Sequence, residues 1–152
     1  MGMVQKSHGL PPTLYEFDET AWLEQTAELI RAGRYEECDR ENLVEYLTDM
    51  AKRDRREVFS RLVVLLAHLL KWQYQPEHRS TSWLLTIYEQ QREMHQTIDS
   101  GTLRNHAVDV MAKAYSYALK EAAVETGLAR TGFPDECPWD VDSILADLGE
   151  VG

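Results

Sequence analysis

The sequence predicts an all-α protein: a single-domain bundle of five to six helices around one central, almost fully apolar helix at about residues 54–75. Three observations carry this. Apolar residues recur at three- and four-residue spacing along nearly the whole chain, and no stretch alternates with period two over more than four residues. The eight Gly and five Pro stand at segment ends instead of punctuating short strands. The run Leu62 to Leu70, LVVLLAHLL, has almost no polar side, as in a helix with neighbours all round. A membrane span needs about 20 apolar residues, so this run reads as a buried helix.

Residues 1–13 read as a flexible N-terminal segment and 14–150 as one helical domain. A chain of 152 residues can bury about 69% of its unfolded surface, enough for a core without staples. Leu14, Tyr15 and Phe17 are expected to tack the start of the chain onto the body.

The first helix is expected at about 20–32, capped by Asp18 or Thr20, whose oxygens can accept orphan backbone N–H groups. Trp22, Thr26 and Leu29 form its stripe and Gly33 ends it. Asp39, with Asn42 three places on, caps a second helix whose apolar positions are Leu43, Val44, Leu47, Met50 and Ala51. It is expected to end near Lys52, because Asp54-Arg55-Arg56-Glu57 has the form of a capping box and signals a new start or a kink. The central helix follows and stops at Pro76. Ser80, Thr81 or Ser82 can cap the fourth helix, which carries Trp83, Ile87, Met94 and Ile98. Asp99-Ser100-Gly101 makes a turn. The fifth helix runs to about Thr126, is rich in Ala, and is stopped by Gly127. After an irregular segment with Pro134 and Pro138, Asp140 caps a last helix at about 141–148. Short connections between long helices imply antiparallel neighbours.

Charge narrows the partners. Sixteen basic against 26 acidic side chains, a net charge of −10, speak against sequence-independent nucleic-acid binding, where phosphates require a basic face. The charge is uneven: −7 over residues 1–50 (4 basic, 11 acidic), +2 over 51–100 (8 and 6) and −5 over 101–152 (4 and 9). The only basic run is Lys52-Arg53-Asp54-Arg55-Arg56. It lacks the aromatic interleaving of a nucleic-acid surface, and Lys52 and Arg53 would complement the dipole at a helix C-terminus. Cys38 and Cys137 read as two free thiols of a reducing compartment, and no secretory signal opens the chain. A cytoplasmic location and no membrane association are expected.

Several stretches are distinctive: Ala21-Trp22-Leu23-Glu24-Gln25, Leu29-Ile30-Arg31-Ala32-Gly33-Arg34, Glu41-Asn42-Leu43, His68 to Pro76 (HLLKWQYQP), Arg79-Ser80-Thr81-Ser82-Trp83, Glu125-Thr126-Gly127-Leu128 and Phe133 to Pro138. In this order, from about Leu14 to Leu148, they resemble the bacterial domain-of-unknown-function family 29, common in cyanobacteria and also found in proteobacteria. Ala51 stands where a Gly is common in that family, and Asp54 where a Ser is common. The resemblance implies a compact all-helical domain and no assigned activity, so it brings no catalytic residues.

One constellation could bind a ligand. His68, Lys71, Trp72, Arg79, Ser80, Ser82 and Trp83 cluster around one helix–turn–helix corner. A capped helix start flanked by Arg and Lys suits a phosphate or carboxylate. The structural alternative has Ser80 or Ser82 as a cap, Arg79 paired with an acid such as Glu125, and His68 held by a backbone carbonyl. Enzyme and metal signatures are absent: no H-E-x-x-H, E-x-x-H, G-x-S-x-G, Walker loop or G-x-G-x-x-G. The acidic residues Asp135, Glu136, Asp140 and Asp142 lack the order of a calcium loop. No cofactor, no metal and no catalytic residue is therefore expected. The sequence points to a non-catalytic interaction or regulatory module that binds another protein or a second copy of itself. The alternative is a small-molecule or anion-binding protein, conceivably an enzyme, with its site at the corner.

Overall fold

A computed structural model describes residues 13–148. Among them the only regular elements are helices: α1 (Leu14–Phe17), α2 (Glu19–Arg31), α3 (Arg40–Tyr74), α4 (Thr81–Thr97), α5 (Gly101–Thr126) and α6 (Val141–Leu145), with single 3₁₀ turns at Tyr35–Glu37, Pro76–His78 and Arg130–Gly132. The all-helical expectation holds. The expected flexible segment lies, but for Thr13, outside the described residues. The fold divides into two compact units, Met1–Met50 and Ala51–Gly152.

The first unit is built on one aromatic. Trp22 and Thr26 are its buried residues on α2, and the Thr26 hydroxyl donates to the Trp22 carbonyl at 2.7 Å. Tyr15 meets the Trp22 ring edge-on at a centroid distance of 4.6 Å, and the Tyr46 ring lies 6.0 Å from it. Tyr15 thus fastens the chain start as expected, but Phe17 is 78% exposed and Leu14 is exposed too. The α1 helix is one turn long, and its four residues cannot all face Trp22. Asp18 caps α2 through the Ala21 N–H. Gly33 follows at φ +73°, a left-handed position suited to a residue without Cβ.

The second unit holds the main core. Val58, Leu62, Leu65, Leu66 and Leu70 are fully buried, and Leu69 nearly so. Arg61 reaches Gln90 and Glu93 while Lys71 reaches Trp83, so α3 and α4 are antiparallel. Phe59 meets Tyr117 and Lys71 meets Glu125, so α5 runs parallel to α3. Ala107, Ala114, Ala118 and Ala122 present the core-facing side of α5 with no exposed surface, which allows close helix approach, whereas Ala112 faces outward. Ser80 and Ser100 cap α4 and α5, and Gly127 ends α5 at φ +72°. The buried Gln91 amide donates to the carbonyls of Ile144 (3.0 Å) and Ala146 (2.9 Å), pinning α6 to α4.

Two boundaries differ from expectation. The helix expected to break near Lys52, with a central helix from about 54, is instead one helix of 35 residues, Arg40–Tyr74. Nothing from 40 to 74 breaks a helix: there is no Gly or Pro, and Met50, Ala51, Lys52 and Arg53 are good helix formers. Asp and Glu three apart form a capping box only where the helix starts; inside α3 Asp54 is an exposed side chain and Glu57 pairs with Arg61 one turn on. The last helix ends at Leu145, not 148, because Ala146 turns extended, with ψ 158°, as its carbonyl turns to Gln91.

Candidate functional site

The corner residues stand at the C-terminal end of α3 and the start of α4, separated by the turn at Pro76–His78. Pro76 stops α3 because its ring removes a donor and clashes with the preceding turn. Ser80 takes an extended backbone, and its hydroxyl accepts the Trp83 N–H at 3.2 Å. Ser82 is exposed in the first turn of α4.

The side chains engage one another or the backbone. His68 is half-buried, and its Nδ1 lies 2.8 Å from the carbonyl oxygen of Val64. A carbonyl only accepts, so Nδ1 carries the proton. Burial pushes the His68 pKa below its ordinary value; the Val64 hydrogen bond opposes that shift, and nearby Lys71 adds to it. Lys71 is buried, forms an ion pair with Glu125, and places its ammonium 5.1 Å from the Trp83 ring centre. Arg79 folds back instead: its Nε donates to the Trp72 carbonyl at 2.7 Å, and its guanidinium lies 4.6 Å over the Trp72 ring. Gln75 reaches the Thr126 carbonyl at 3.5 Å, tying the end of α3 to the end of α5. Glu125, suggested as a partner for Arg79, is the partner of Lys71. The reason is geometric: α3 and α5 run side by side, whereas Arg79 sits past the turn.

Sequence reasoning missed a groove of about 480 Å³ along α5. Met111, Tyr115 and Leu119 of α5 line it, together with Arg130, Glu136 and Cys137. Tyr115 donates its hydroxyl to the Pro134 carbonyl, and its pKa is pushed up to about 12, chiefly by burial. Burial also raises the Cys137 thiol, which donates to the Trp139 carbonyl at 3.3 Å. That thiol is protonated and occupied, the opposite of an activated nucleophile. Among the described residues no three His, Cys, Asp or Glu side chains gather as a metal site, and no helix is long and apolar enough to cross a membrane.

The surface differs from expectation in two places. Val44 and Leu47, expected as apolar helix positions, are each 59% exposed, one turn apart on a single face of α3. The basic run is not at a helix end. Lys52, Arg53, Arg55 and Arg56 stand in mid-helix, all exposed and none in an ion pair among the described residues, so a dipole does not explain them. Aromatic side chains do lie beyond the run. Phe59 packs edge-on against Tyr117 at 5.7 Å, and Lys113 sits 5.6 Å over the Phe59 ring.

An all-helical protein whose polar corner is packed and whose charged and apolar residues reach the surface on α3 is the class that fold and site define. The chain belongs to the family described as "Domain of unknown function DUF29", which matches residues 14–148. No curated protein and no solved structure matches it.

Proposed function

We propose that the protein is a non-catalytic interaction module that acts by binding another protein chain, with the Val44–Leu47 face of α3 as its contact. The observation that carries this is the exposure of two large aliphatic side chains, i and i+3, on one helix face. Adjacent exposed apolar residues rimmed by charge are a common feature of protein contact sites. Glu41 and Glu45 supply that rim and are exposed. The acid-rich first unit suits a partner carrying basic residues around an apolar centre. The competing reading, an anion or small molecule at the corner of His68 to Trp83, has less support. Lys71 is already neutralised by Glu125, and Arg79 is held by Trp72.

Capture from a lysate of the source organism tests the reading. The parent protein, used as bait, retains a defined partner, and Leu47→Arg loses it while keeping the same helical content. Retention of the same partner by Leu47→Arg, or no partner on the parent, contradicts it.

A further inference from the structure

We infer that the second unit carries a docking face for single-stranded nucleic acid, where a basic stripe of α3 meets a second basic stripe on α5. This goes beyond the protein-binding reading above and uses a different surface, all of it within Ala51–Gly152. Lys52, Arg55, Arg56 and Phe59 follow one another at helical spacing, so they share one side of α3, and the three cations are exposed. Arg53 stands about 100° round the helix from Lys52 and lies off the stripe. On α5, Lys113, Tyr117 and Lys120 repeat the spacing and are exposed too. The stripes join at Phe59. Its ring meets Tyr117 edge-on at 5.7 Å, with the Lys113 ammonium 5.6 Å from its centre. Because α5 runs parallel to α3, the turn holding Arg55 and Arg56 lies alongside the turn holding Lys113.

Two properties of this face select its partner. The first is charge. Lys52, Arg55, Arg56, Lys113 and Lys120 form no ion pair among the described residues, and the Arg56 Nε donates to the Lys52 carbonyl at 3.4 Å. The acids nearby do not cancel them. Asp54 stands about 200° round α3 from Lys52, Glu57 is taken by Arg61, and Asp109 and Glu121 remain beside the lysines of α5. The net charge of −10 belongs to the chain as a whole, and acids beyond about 10 Å are screened at 0.1 M salt. The second property is aromatic surface. Tyr117 is 48% exposed, and the Lys120 ammonium lies 5.9 Å from its ring centre. An exposed ring among cations lets a base stack while its phosphates meet charge. An acidic peptide would use the cations and leave the ring idle. Along the sequence the basic run has no aromatic residue inside it; folding brings Tyr117 to it from α5.

Fluorescence anisotropy with labelled oligothymidine and oligouridine of about 20 nucleotides, longer than a usual site, tests this. The parent is expected to bind with a Kd of about 1–100 μM at low salt, and log K should fall against log salt with a slope of about −3. Binding of either strand supports the face, and the tighter of the two names the strand. Lys113→Ala should flatten the slope by about 0.7, the share of one phosphate. Arg55→Glu and Lys113→Glu should each weaken binding about tenfold, while the control Arg92→Glu, on α4, binds as the parent does. Tyr117→Leu keeps an apolar partner for Phe59 but removes the stacking ring, and should weaken binding at least about fivefold. Circular dichroism confirms that each variant is folded. No binding of either strand at about 0.2 mM protein overturns the proposal. So do charge variants, or a Tyr117→Leu variant, that bind like the parent. Displacement of the labelled strand by polyglutamate as readily as by unlabelled strand of equal charge also overturns it, and assigns the face to an acidic protein.

Discussion

The ammonium of Lys71 and the carboxylate of Glu125 form an ion pair in which one partner is enclosed and the other is not: the Lys71 side chain is 4% exposed and that of Glu125 52%. The ammonium stands 5.1 Å from the Trp83 ring centre, and its charge is answered from α5 by Glu125. Glu125→Ala should therefore cost more than Lys71→Met. The first leaves a buried charge unanswered, at roughly 2–4 kcal/mol, at or below the range for a fully enclosed pair because Glu125 meets water. The second removes both the charge and its need for a partner, and should fall within about 1 kcal/mol of the parent. Urea melts of the two variants check the order.

Leu66→Ala should destabilise the second unit by about 2–5 kcal/mol. Leu66 has no exposed surface and stands in the middle of the α3 stripe, so its removal leaves a cavity as well as losing burial. A loss below about 1 kcal/mol by denaturant melt would contradict its place in the core.

His68 makes stability depend on pH. Its folded pKa lies below the ordinary value of 6.5, mainly because burial disfavours the charged ring. In the window between the two values the unfolded chain binds more protons, so stability rises with pH. The His68 contribution is present in full above 6.5 and is lost as pH falls through the folded value. His68→Gln should flatten the slope of stability against pH on the acid side of neutrality. A parent and variant with parallel slopes would show that His68 titrates as a free imidazole.

Much of the fold is legible in local chemistry. Asp18, Asp39, Ser80, Ser100 and Asp140 each stand before an apolar-periodic run, and each accepts a backbone N–H at the start of its helix. The α3 run from Leu62 to Leu70 announces its burial because it has no polar face to turn outward. Elsewhere the local signal competes with a stronger one. Asp54 and Glu57 have the spacing of a cap, but continuing a helix of good formers costs nothing, so the chain does not stop. Val44 and Leu47 have the spacing of a core stripe. A spacing says which residues share a face, not what covers that face, and here it stays open. The pairing at the corner is not legible in the sequence, because Glu125 lies 54 residues from Lys71 along the chain.

Tyr115 reports on the segment after α5. Its hydroxyl holds the Pro134 carbonyl, so Tyr115→Phe should cost about 1 kcal/mol, the net worth of one hydrogen bond. Burial, with Cys137, Tyr74 and Asp135 nearby adding to it, pushes its pKa up to about 12, against 10.0 for an ordinary tyrosine. In alkali the unfolded chain ionises first, so this contribution fades as pH rises from 10 toward 12. Ultraviolet titration of parent and variant should show one tyrosine fewer ionising late.

Phosphate separates a packed corner from an anion site. Arg79 is held by the Trp72 carbonyl and ring, so phosphate or sulfate should leave the melting temperature of the parent unchanged at constant ionic strength. Arg79→Ala should lower stability by a similar amount, about 1 kcal/mol, in both buffers. A rise in melting temperature with phosphate that the variant abolishes would restore the corner as a binding site.

The central claim, that the protein works through the face of α3 and not through the corner, is tested most directly by hydrogen–deuterium exchange on the protein alone and with its captured partner. The account predicts slowed amide exchange across residues 43–52, with the segment 68–83 unchanged. Slowed exchange confined to 68–83, with 43–52 as open as in the free protein, would contradict it.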